Sequence, residues 1–474
     1  MELIKLGSQR WRRAAVPAFI AVILLCYVFL LFRVEAMNFD SYDYYKAAMS
    51  LRDGNGNFSI ANFASGIRGV SFALWLFALD TLAKLLSVKI YYAVLTVNFL
   101  LFFLCAYAFL GLFVSWEELR ERRVETLGGV TAGLVLFTVL ARFAFTTVLT
   151  DFPAFALCLL GAVCVKWAST LRLSVKTAAL ALFGGGCLYT AYNFRTIYLL
   201  GVLVLAVYLA AALFRHGSKL RALLVPAAVL AGMLLAAYPQ VIVNRVNYGS
   251  SSPMVSTSYT PNGASLFVKQ LIWGMELWRY DANLDLAAYS NYPLYFFWVP
   301  GEALTSLVQR ETLTEYCGIM LTHPFHFIAL YLTHLLNMLS PYFAQVYITN
   351  LSVAKWPYLF LMYGVCYCVV WDIASKFRTK LYTLRGLLDS KFIPVLAVLI
   401  PGLAIVPGAV EYRFGMPLFW LIFTYFVWGC SWKQRWIDLK AAPVGRCLGF
   451  LAGLAAMICF WVQVMASGPV PLGL

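Results

Sequence analysis

The sequence predicts an all-α, polytopic integral membrane protein with about eleven transmembrane helices. Hydrophobic residues make up 62% of the 474 residues and charged residues only 12%. The mean hydropathy is +0.79, and soluble domains do not have this composition. Most apolar stretches reach the roughly 20 residues with which a helix crosses about 30 Å of hydrocarbon. They lack the alternation of apolar and polar residues that marks outer-membrane strands, so helices are predicted.

The predicted spans follow one another along the whole chain. They lie near residues 14–32, 90–115, 129–147, 151–168, 177–193, 196–214, 222–241, 356–374, 392–409, 415–430 and 447–465. The first span follows Arg10, Arg12 and Arg13, as the core of a secretory signal would. Its apolar stretch is longer than the about 7 to 15 residues of such a core, and an uncleaved first span is therefore predicted.

The cationic residues predict the orientation of these spans, because short cytoplasmic loops collect Lys and Arg. With the amino terminus inside and the carboxyl terminus outside, more than half of the 36 Lys and Arg residues fall in cytoplasmic segments. Those segments face anionic lipid, which accounts for most of the net charge of +15. Membrane lipids are therefore the predicted partners of the basic residues, and no nucleic acid is expected.

Two predicted outer segments, 33–89 and 242–355, are too long to be simple turns. The first contains an apolar run from Val70 to Leu86 that carries Asp80 and Lys84. A crossing there would invert every later loop against the charge bias, so an amphipathic helix on the membrane surface is predicted. The same reasoning applies to Phe325–Leu339. No soluble domain is visible, and residues 1–474 are predicted to form one transmembrane domain.

Polar motifs lie at the predicted outer ends of the spans. A carboxylate against a bilayer loses solvation, so it is retained there mainly to hold a substrate, move a proton or pair with a cation. The acidic segment 38–45 (NFDSYDYY) directly follows the first span. Four further motifs lie at 65–69 (SGIRG), 150–154 (TDFPA), 193–195 (NFR) and 411–417 (EYRFGMP).

With these motifs the chain resembles the GT-C superfamily of membrane glycosyltransferases. The likeness is to the bacterial branch that includes relatives of protein O-mannosyltransferases and of the aminoarabinose transferase acting on lipid A. It rests on Asp40-x-x-x-Tyr44-x-x-x-Ala48, on the outward turn at Asp151, and on the acidic-x-Arg-aromatic-x-x-Pro turn that starts at Glu411. Arg195 is followed by Thr196 where relatives often have Pro, and the large soluble domain of some relatives is absent.

The resemblance implies a GT-C-like fold and transfer of a sugar from a polyprenyl-phosphate-linked donor to an acceptor hydroxyl. The reaction would occur at the outer, periplasmic face of a bacterial inner membrane. No cofactor is expected, with a divalent metal as the less favoured alternative. The implied catalytic residues are Asp40 as general base, with Asp43 and Asp151. The implied substrate-binding residues are Arg413 and Arg195, followed by Arg68 and Arg245, for the phosphate, and Glu411 and Tyr44 for the sugar.

Each residue also has a structural interpretation. Asp40 and Asp151 have the sequence context of helix amino-terminal caps, and Asp43 lies three residues before Lys46, with which it can pair. Glu411 can simply pair with Arg413. An Arg at a span end can reach lipid headgroups, and Tyr44 can belong to the aromatic belt of the membrane interface.

Two features of the sequence bear on how the protein would work. Relatives often cover the active site with the region after the seventh span, and the Gly, Ser and Pro content of 244–253 (NRVNYGSSSP) suits a mobile cover. The alternative function is a transporter or flippase of lipid-linked sugars. Helix breaks near the bilayer midplane are typical of transporters, and residues 184–186 (GGG) and 401–402 (PG) have that composition.

Overall fold

A computed structural model describes most of the chain. The described residues are 40–53, 55–63, 67–113, 147–216, 219–256, 265–280, 295–298, 304–339, 356–378, 392–426, 444, 448–449, 451–456, 459 and 470–471. The predicted spans 14–32 and 129–147 lie outside these residues, apart from Thr147, and so does most of 447–465. The chain folds into two compact units. The first unit comprises Met1–Leu136, Ala144–Ser256 and Leu384–Pro401. The second unit comprises Phe137–Phe143, Thr257–Thr383 and Gly402–Leu474.

The described part of the first unit is helical. Its α-helices are α1 (Asp40–Met49), α2 (Val70–Leu85), α3 (Ile90–Phe113), α4 (Asp151–Thr170), α5 (Val175–Phe194), α6 (Leu199–His216), α7 (Lys219–Tyr248) and α12 (Ile393–Leu403), whose residues up to Pro401 belong to this unit. Short 3-10 helices occupy Ile60–Asn62 and Thr196–Tyr198. Helices α3 to α7 and α12 begin or end within a few residues of the predicted spans, except that α7 continues to Tyr248 and α12 ends at Leu403.

Helix α4 is the central helix of this unit. It is apolar on all sides, as is typical of a helix surrounded by protein, and it packs against α3, α5 and α6. In its most apolar window 83% of the residues are buried, compared with 22% for α7. Helix α7 therefore leaves most of its apolar surface outside the protein core, which suits a lipid-facing helix.

Glycines allow α5 and α7 to pack with their backbones in contact. A Cβ atom at Gly185 would overlap the carbonyl oxygen of Val229, and one at Gly232 would overlap that of Leu182. Small residues at such crossings are characteristic of membrane helices, whose association depends on close packing. Helix α5 runs without interruption through Gly184–Gly186, so the prediction of a helix break there is wrong: these glycines lie in helix-packing contacts.

Helices α2 and α3 meet at an angle of 118°, so together they do not form one straight span. Helix α2 buries Phe72, Leu76 and Leu79 along one face and exposes Leu82 and Leu85 on the other. Helix α2 therefore has one face packed against the unit and the opposite face open. Helices α9 (Leu313–Thr322) and α10 (Pro324–Met338) of the second unit are bent against each other by 107°.

The described part of the second unit also contains α8 (Leu266–Glu276), α11 (Trp356–Arg378), α13 (Met416–Thr424) and 3-10 helices at Leu304–Leu307 and Tyr412–Gly415. A small antiparallel sheet joins β1 (Leu277–Tyr280), β2 (Tyr295–Trp298) and β3 (Val470–Pro471) in that order. Met275, Tyr316 and Phe327 belong to a buried apolar cluster that unites α8, α9 and α10. Helices dominate the described residues, in agreement with the predicted all-α class, and this sheet is a small addition to them.

Among the described residues, α4 and α7 are each long and apolar enough to cross a membrane by themselves. Counting each bent pair, α2 with α3 and α9 with α10, as one broken span raises the number of candidates to four. Helix α12 and residues 196–212 are apolar but shorter than this test requires. These apolar helices agree with a helical membrane protein.

Candidate functional site

Helix α1 carries the acidic motif on one face. Asp40 and Asp43 occupy its first turn, where carboxylates interact favourably with the helix dipole. Asp40, Asp43 and Tyr44 are three and four residues apart, and their side chains therefore share a face. Ser41 and Ala48, seven residues apart, are buried against the rest of the unit.

Arg68, which lies just before α2, binds that face of α1. Its Nη2 atom is 3.0 Å from Asp40 Oδ1 and 3.9 Å from Asp43 Oδ2, and its guanidinium carbon lies 4.0 Å from the ring centroid of Tyr44. Burial lowers the pKa of Arg68, but the electrostatic interactions with Tyr44, Asp40 and Asp43 and the hydrogen bond to Asp40 outweigh burial and raise that pKa overall. Arg68 therefore stays cationic beside the two carboxylates.

Tyr44 connects Arg68 to the start of α4. Its hydroxyl is 3.2 Å from Thr150 Oγ1. Its ring packs edge to face with the ring of Phe72, and the two ring centroids are 4.9 Å apart. Thr150 is the residue directly before Asp151. One face of the Tyr44 ring is used by the guanidinium of Arg68, so stacking on a sugar would have to use the opposite face.

Asp151 and Arg195 form an ion pair between the first residue of α4 and the residue that ends α5. Asp151 is buried, whereas Arg195 is partly exposed. Because α4 and α5 are consecutive antiparallel helices, the start of one and the end of the other lie at the same end of the pair. The polypeptide continues from Arg195 into the 3-10 helix Thr196–Tyr198.

These contacts join six of the predicted site residues into one group by way of Thr150: Arg68 contacts Asp40, Asp43 and Tyr44, Tyr44 contacts Thr150, and the next residue, Asp151, pairs with Arg195. We call it the acid–arginine cluster: Asp40, Asp43, Tyr44, Arg68, Asp151 and Arg195. Its members come from four separate stretches of the chain, and all lie in the first unit. Asp43 lies near Arg68, and the sequence had left open whether it would share a site with Asp40 or pair with Lys46.

Glu411 and Arg413 form their own pair in the second unit. Arg413 Nε is 2.8 Å from Glu411 Oε2, and Arg413 Nη2 is 2.9 Å from Glu411 Oε1. Both side chains are buried, and this two-point geometry matches the planar fork of a guanidinium to a carboxylate. The pairing of Glu411 with Arg413 that the sequence suggested is therefore present.

Arg245 lies apart from these pairs. It is exposed on the last turn of α7, and within the described ranges none of the ion pairs of the acid–arginine cluster includes it. The segment after α7 was predicted to begin at residue 242. It begins later, because α7 continues to Tyr248 and ends before Gly249, which has a positive φ of 65°. Arg245 is therefore a helical residue and not a loop residue.

Sequence reasoning missed the connections of Asp80, which it placed on the polar face of a surface helix. Asp80 is buried and accepts hydrogen bonds from Arg52 Nη2 at 3.0 Å and from Tyr45 at 3.4 Å, while Lys84 Nζ lies at 2.6 Å. Burial, followed by the nearby Asp80 carboxylate, raises the pKa of Tyr45. The signal was present in the sequence, since a carboxylate within an apolar run needs a cationic partner.

A second missed feature is a set of buried amide side chains, Asn193, Gln240 and Asn244. They connect α5 and α7 to the start of α2 and to residues 252–255. The sequence signal is again a polar residue inside a span, here Gln240 in the apolar α7. Residues 244–253 were predicted to suit a mobile cover, and the hydrogen bonds that anchor the carbonyl oxygens of Ser252 and Pro253 oppose that prediction for this short part.

No protein-family model, curated protein or solved structure matches this chain. The described residues contain no group of three or more His, Cys, Asp or Glu side chains that could hold a metal ion.

Proposed function

We propose that the protein is a GT-C-like membrane glycosyltransferase with about eleven transmembrane helices. It would move a sugar from a polyprenyl-phosphate-linked donor to an acceptor hydroxyl of a lipid, glycan or protein. The amino terminus would be cytoplasmic and the reaction would take place at the outer face of a bacterial inner membrane. The proposal combines the motif resemblance with the contacts of the first unit.

One observation carries the proposal: the acid–arginine cluster brings carboxylates and guanidinium groups from four chain segments to one end of the α4–α5 pair. A transfer from a phosphate donor needs a base for the acceptor and cations for the departing phosphate. Both kinds of group occur in the cluster. Isolated arginines that only reach lipid headgroups would not need carboxylate partners from distant segments.

In the proposed reaction, Asp40 takes the proton of the acceptor hydroxyl. The hydroxyl oxygen then forms a bond to the anomeric carbon of the sugar, and the bond from that carbon to the phosphate oxygen breaks. The electron pair of that bond leaves with the polyprenyl phosphate. Arg68 Nη2 lies 3.0 Å from Asp40 Oδ1, and this ion pair would hold the Asp40 carboxylate in place for the proton transfer.

Arg195 is the proposed phosphate ligand of the first unit. A guanidinium carries five N–H donors in a planar fork, so it can hold a carboxylate and a phosphate oxygen at the same time. Asp151 would orient Arg195 through their ion pair. Arg413 is proposed for the same task in the second unit, oriented by its two-point pair with Glu411.

The test is a transfer assay with purified protein and a panel of polyprenyl-phosphate sugars, comparing wild type with Asp40→Asn. The matched control is Asp53→Asn in the same outer segment. Asp53 is partly exposed and accepts hydrogen bonds from the backbone amides of Asn55 and Asn57, which an asparagine oxygen can also accept. We expect Asp40→Asn to abolish most transfer and Asp53→Asn to leave it unchanged.

Two further measurements in the same assay address the mechanism and the alternative function. Transfer that continues in the presence of a chelator supports a metal-free reaction, whereas loss of transfer that added divalent ion restores contradicts it. In liposomes that contain a fluorescent polyprenyl phosphate, movement of the lipid between leaflets without sugar transfer would favour the transporter or flippase.

A further inference from the structure

Three buried amide side chains form a chain of hydrogen bonds between α5 and α7. Asn193 Nδ2 donates to Gln240 Oε1 at 2.9 Å, and Gln240 Nε2 donates to Asn244 Oδ1 at 2.9 Å. All three side chains are almost completely buried. Buried amides are costly unless their donors and acceptors are paired, so this group needs its partners.

The first partners are the amides at the start of α2. The first N–H groups of a helix have no acceptor within the helix, and Gly69, which precedes α2, has no side chain to provide one. Gln240 Oε1 accepts from Val70 N at 3.1 Å, and Asn193 Oδ1 accepts from Ser71 N at 2.8 Å. A Cβ atom at Gly69 would overlap Asn193, so glycine permits this close approach.

The second partners are backbone groups after α7. Asn244 Nδ2 donates to the carbonyl oxygens of Ser252 and Met254, both at 2.7 Å. Tyr189 donates to the carbonyl oxygen of Pro253 at 2.6 Å, and Val255 N donates to the Tyr192 hydroxyl at 2.9 Å. Residues 252–255 are therefore held by side chains of both α5 and α7.

The backbone partners determine the direction of every hydrogen bond in this network of amide side chains. Two carbonyl oxygens require the NH2 group of Asn244, so its oxygen must face Gln240. Gln240 must then present its NH2 group to Asn244 and its oxygen to Val70 N and Asn193. A side chain at position 240 without a donor on that side would face the oxygen of Asn244.

The ends of this network lie beside the two arginines of the acid–arginine cluster. Arg68 is two residues before Val70, and Arg195 is two residues after Asn193. Displacing the Gln240 amide would break its hydrogen bonds to Val70 N and to Asn193 Nδ2. It would thereby loosen the backbone from which Arg68 and Arg195 extend. Gln240 itself belongs to none of the ion pairs described for the cluster.

We infer that Gln240 is a positioning residue that sets the placement of Arg68 and Arg195 and couples both to residues 252–255. The task of the two arginines rests on the proposed function, whereas the coupling itself rests only on the hydrogen bonds. The inference assigns no contact between Gln240 and a substrate. Its effect reaches the reaction through the backbone at Val70 and Asn193.

The decisive variant is Gln240→Glu, which keeps the size of the side chain and replaces the donor that faces Asn244 with oxygen. Hydrogen exchange with mass spectrometry would follow peptides that contain residues 68–73 and 252–256. At neutral pH we expect exchange in both peptides to rise about tenfold or more, because the variant leaves buried partners unsatisfied. At acid pH the new carboxyl group becomes protonated and can donate to Asn244, so the difference from wild type should shrink.

The matched control is Gln309→Glu, the same chemical change at an exposed glutamine, and it should alter neither peptide. A second variant, Asn244→Asp, removes the donors to Ser252 and Met254 but keeps an oxygen for Gln240. It should release residues 252–256 and leave residues 68–73 protected. If Gln240→Glu fails to fold, Asn244→Asp still tests the network, because a rise in residues 68–73, or a rise in neither peptide, would contradict the hydrogen-bond directions assigned to Gln240 and Asn244.

Transfer kinetics separate the two proposals. If the wild type transfers sugar, Gln240→Glu should lower kcat more at neutral than at acid pH, relative to wild type at each pH. In Gln240→Glu, exchange that rises in neither peptide, or in one alone, overturns the coupling whatever the activity. A wild-type protein without transfer contradicts the proposed function, and the exchange experiment still decides the coupling.

Discussion

Asp151, the first residue of α4, forms an ion pair with Arg195, the residue that ends α5. The pair ties together one end of two helices that pack along their length. Asp151 is buried, so its charge depends on this partner.

Removing Arg195 alone should destabilise the protein more than removing both charges. Arg195→Met leaves the Asp151 carboxylate buried without this partner, and breaking such a pair typically costs about 3–5 kcal/mol. The double variant Asp151→Asn with Arg195→Met should recover part of that loss. Thermal unfolding in detergent measures the difference, and equal melting temperatures of the single and double variants would contradict the interpretation.

Asp40 and Asp43 should differ in their effect on transfer although both face Arg68. The Asp40 side chain is 33% exposed and 3.0 Å from the guanidinium, whereas Asp43 is 64% exposed and 3.9 Å away. We expect Asp40→Asn to lower kcat by about 100-fold or more, the range for loss of a general base, and Asp43→Asn by less than about tenfold. The transfer assay with each single variant decides this, and a larger effect at Asp43 would exchange the roles.

Gly232→Ala should destabilise the contact between α5 and α7. Its new methyl group would overlap the carbonyl oxygen of Leu182, a backbone atom that cannot rotate away. Gly186→Ala is the matched control, because a Cβ atom there would lie 3.7 Å from the Gly232 carbonyl oxygen, an ordinary contact. Its effect should be neutral or stabilising by up to about 1 kcal/mol, since alanine favours helix.

Melting temperature and the monodispersity of the purified protein report on both glycine variants. Equal losses at Gly186 and Gly232 would mean that helix propensity, and not the close approach of the backbones, governs this crossing.

Asp80→Asn should loosen the contact between α1 and α2. The Asp80 side chain is 5% exposed and pairs with both Arg52 and Lys84, whereas the Lys84 side chain is 55% exposed. Lys84→Ala should therefore cost less than about 1 kcal/mol, as exposed pairs do. Limited proteolysis of residues 40–85 should show faster cleavage for Asp80→Asn and a wild-type pattern for Lys84→Ala. The reverse order would assign the main contact of Asp80 to Lys84 instead of Arg52.

The positions of most described helices were predictable from local composition. Helices α4 and α5 begin and end close to the predicted spans, because the length of an apolar run and its flanking polar residues determine where a membrane helix forms. Gly184–Gly186 were misread as a break, because a sequence does not show which backbone lies opposite a glycine. In the folded protein Gly185 of α5 lies against Val229 of α7, and Gly232 of α7 lies against Leu182 of α5.

The sequence by itself determined the class of protein, the approximate helices, and which charged residues lie at helix ends. Only the tertiary structure decided that Arg68 pairs with Asp40, that Arg195 pairs with Asp151, and that Gln240 caps α2. The physical reason is that apolar length and charge bias act along neighbouring residues, whereas an ion pair or a buried amide depends on helices that are distant in the chain. Their partners are chosen by helix packing.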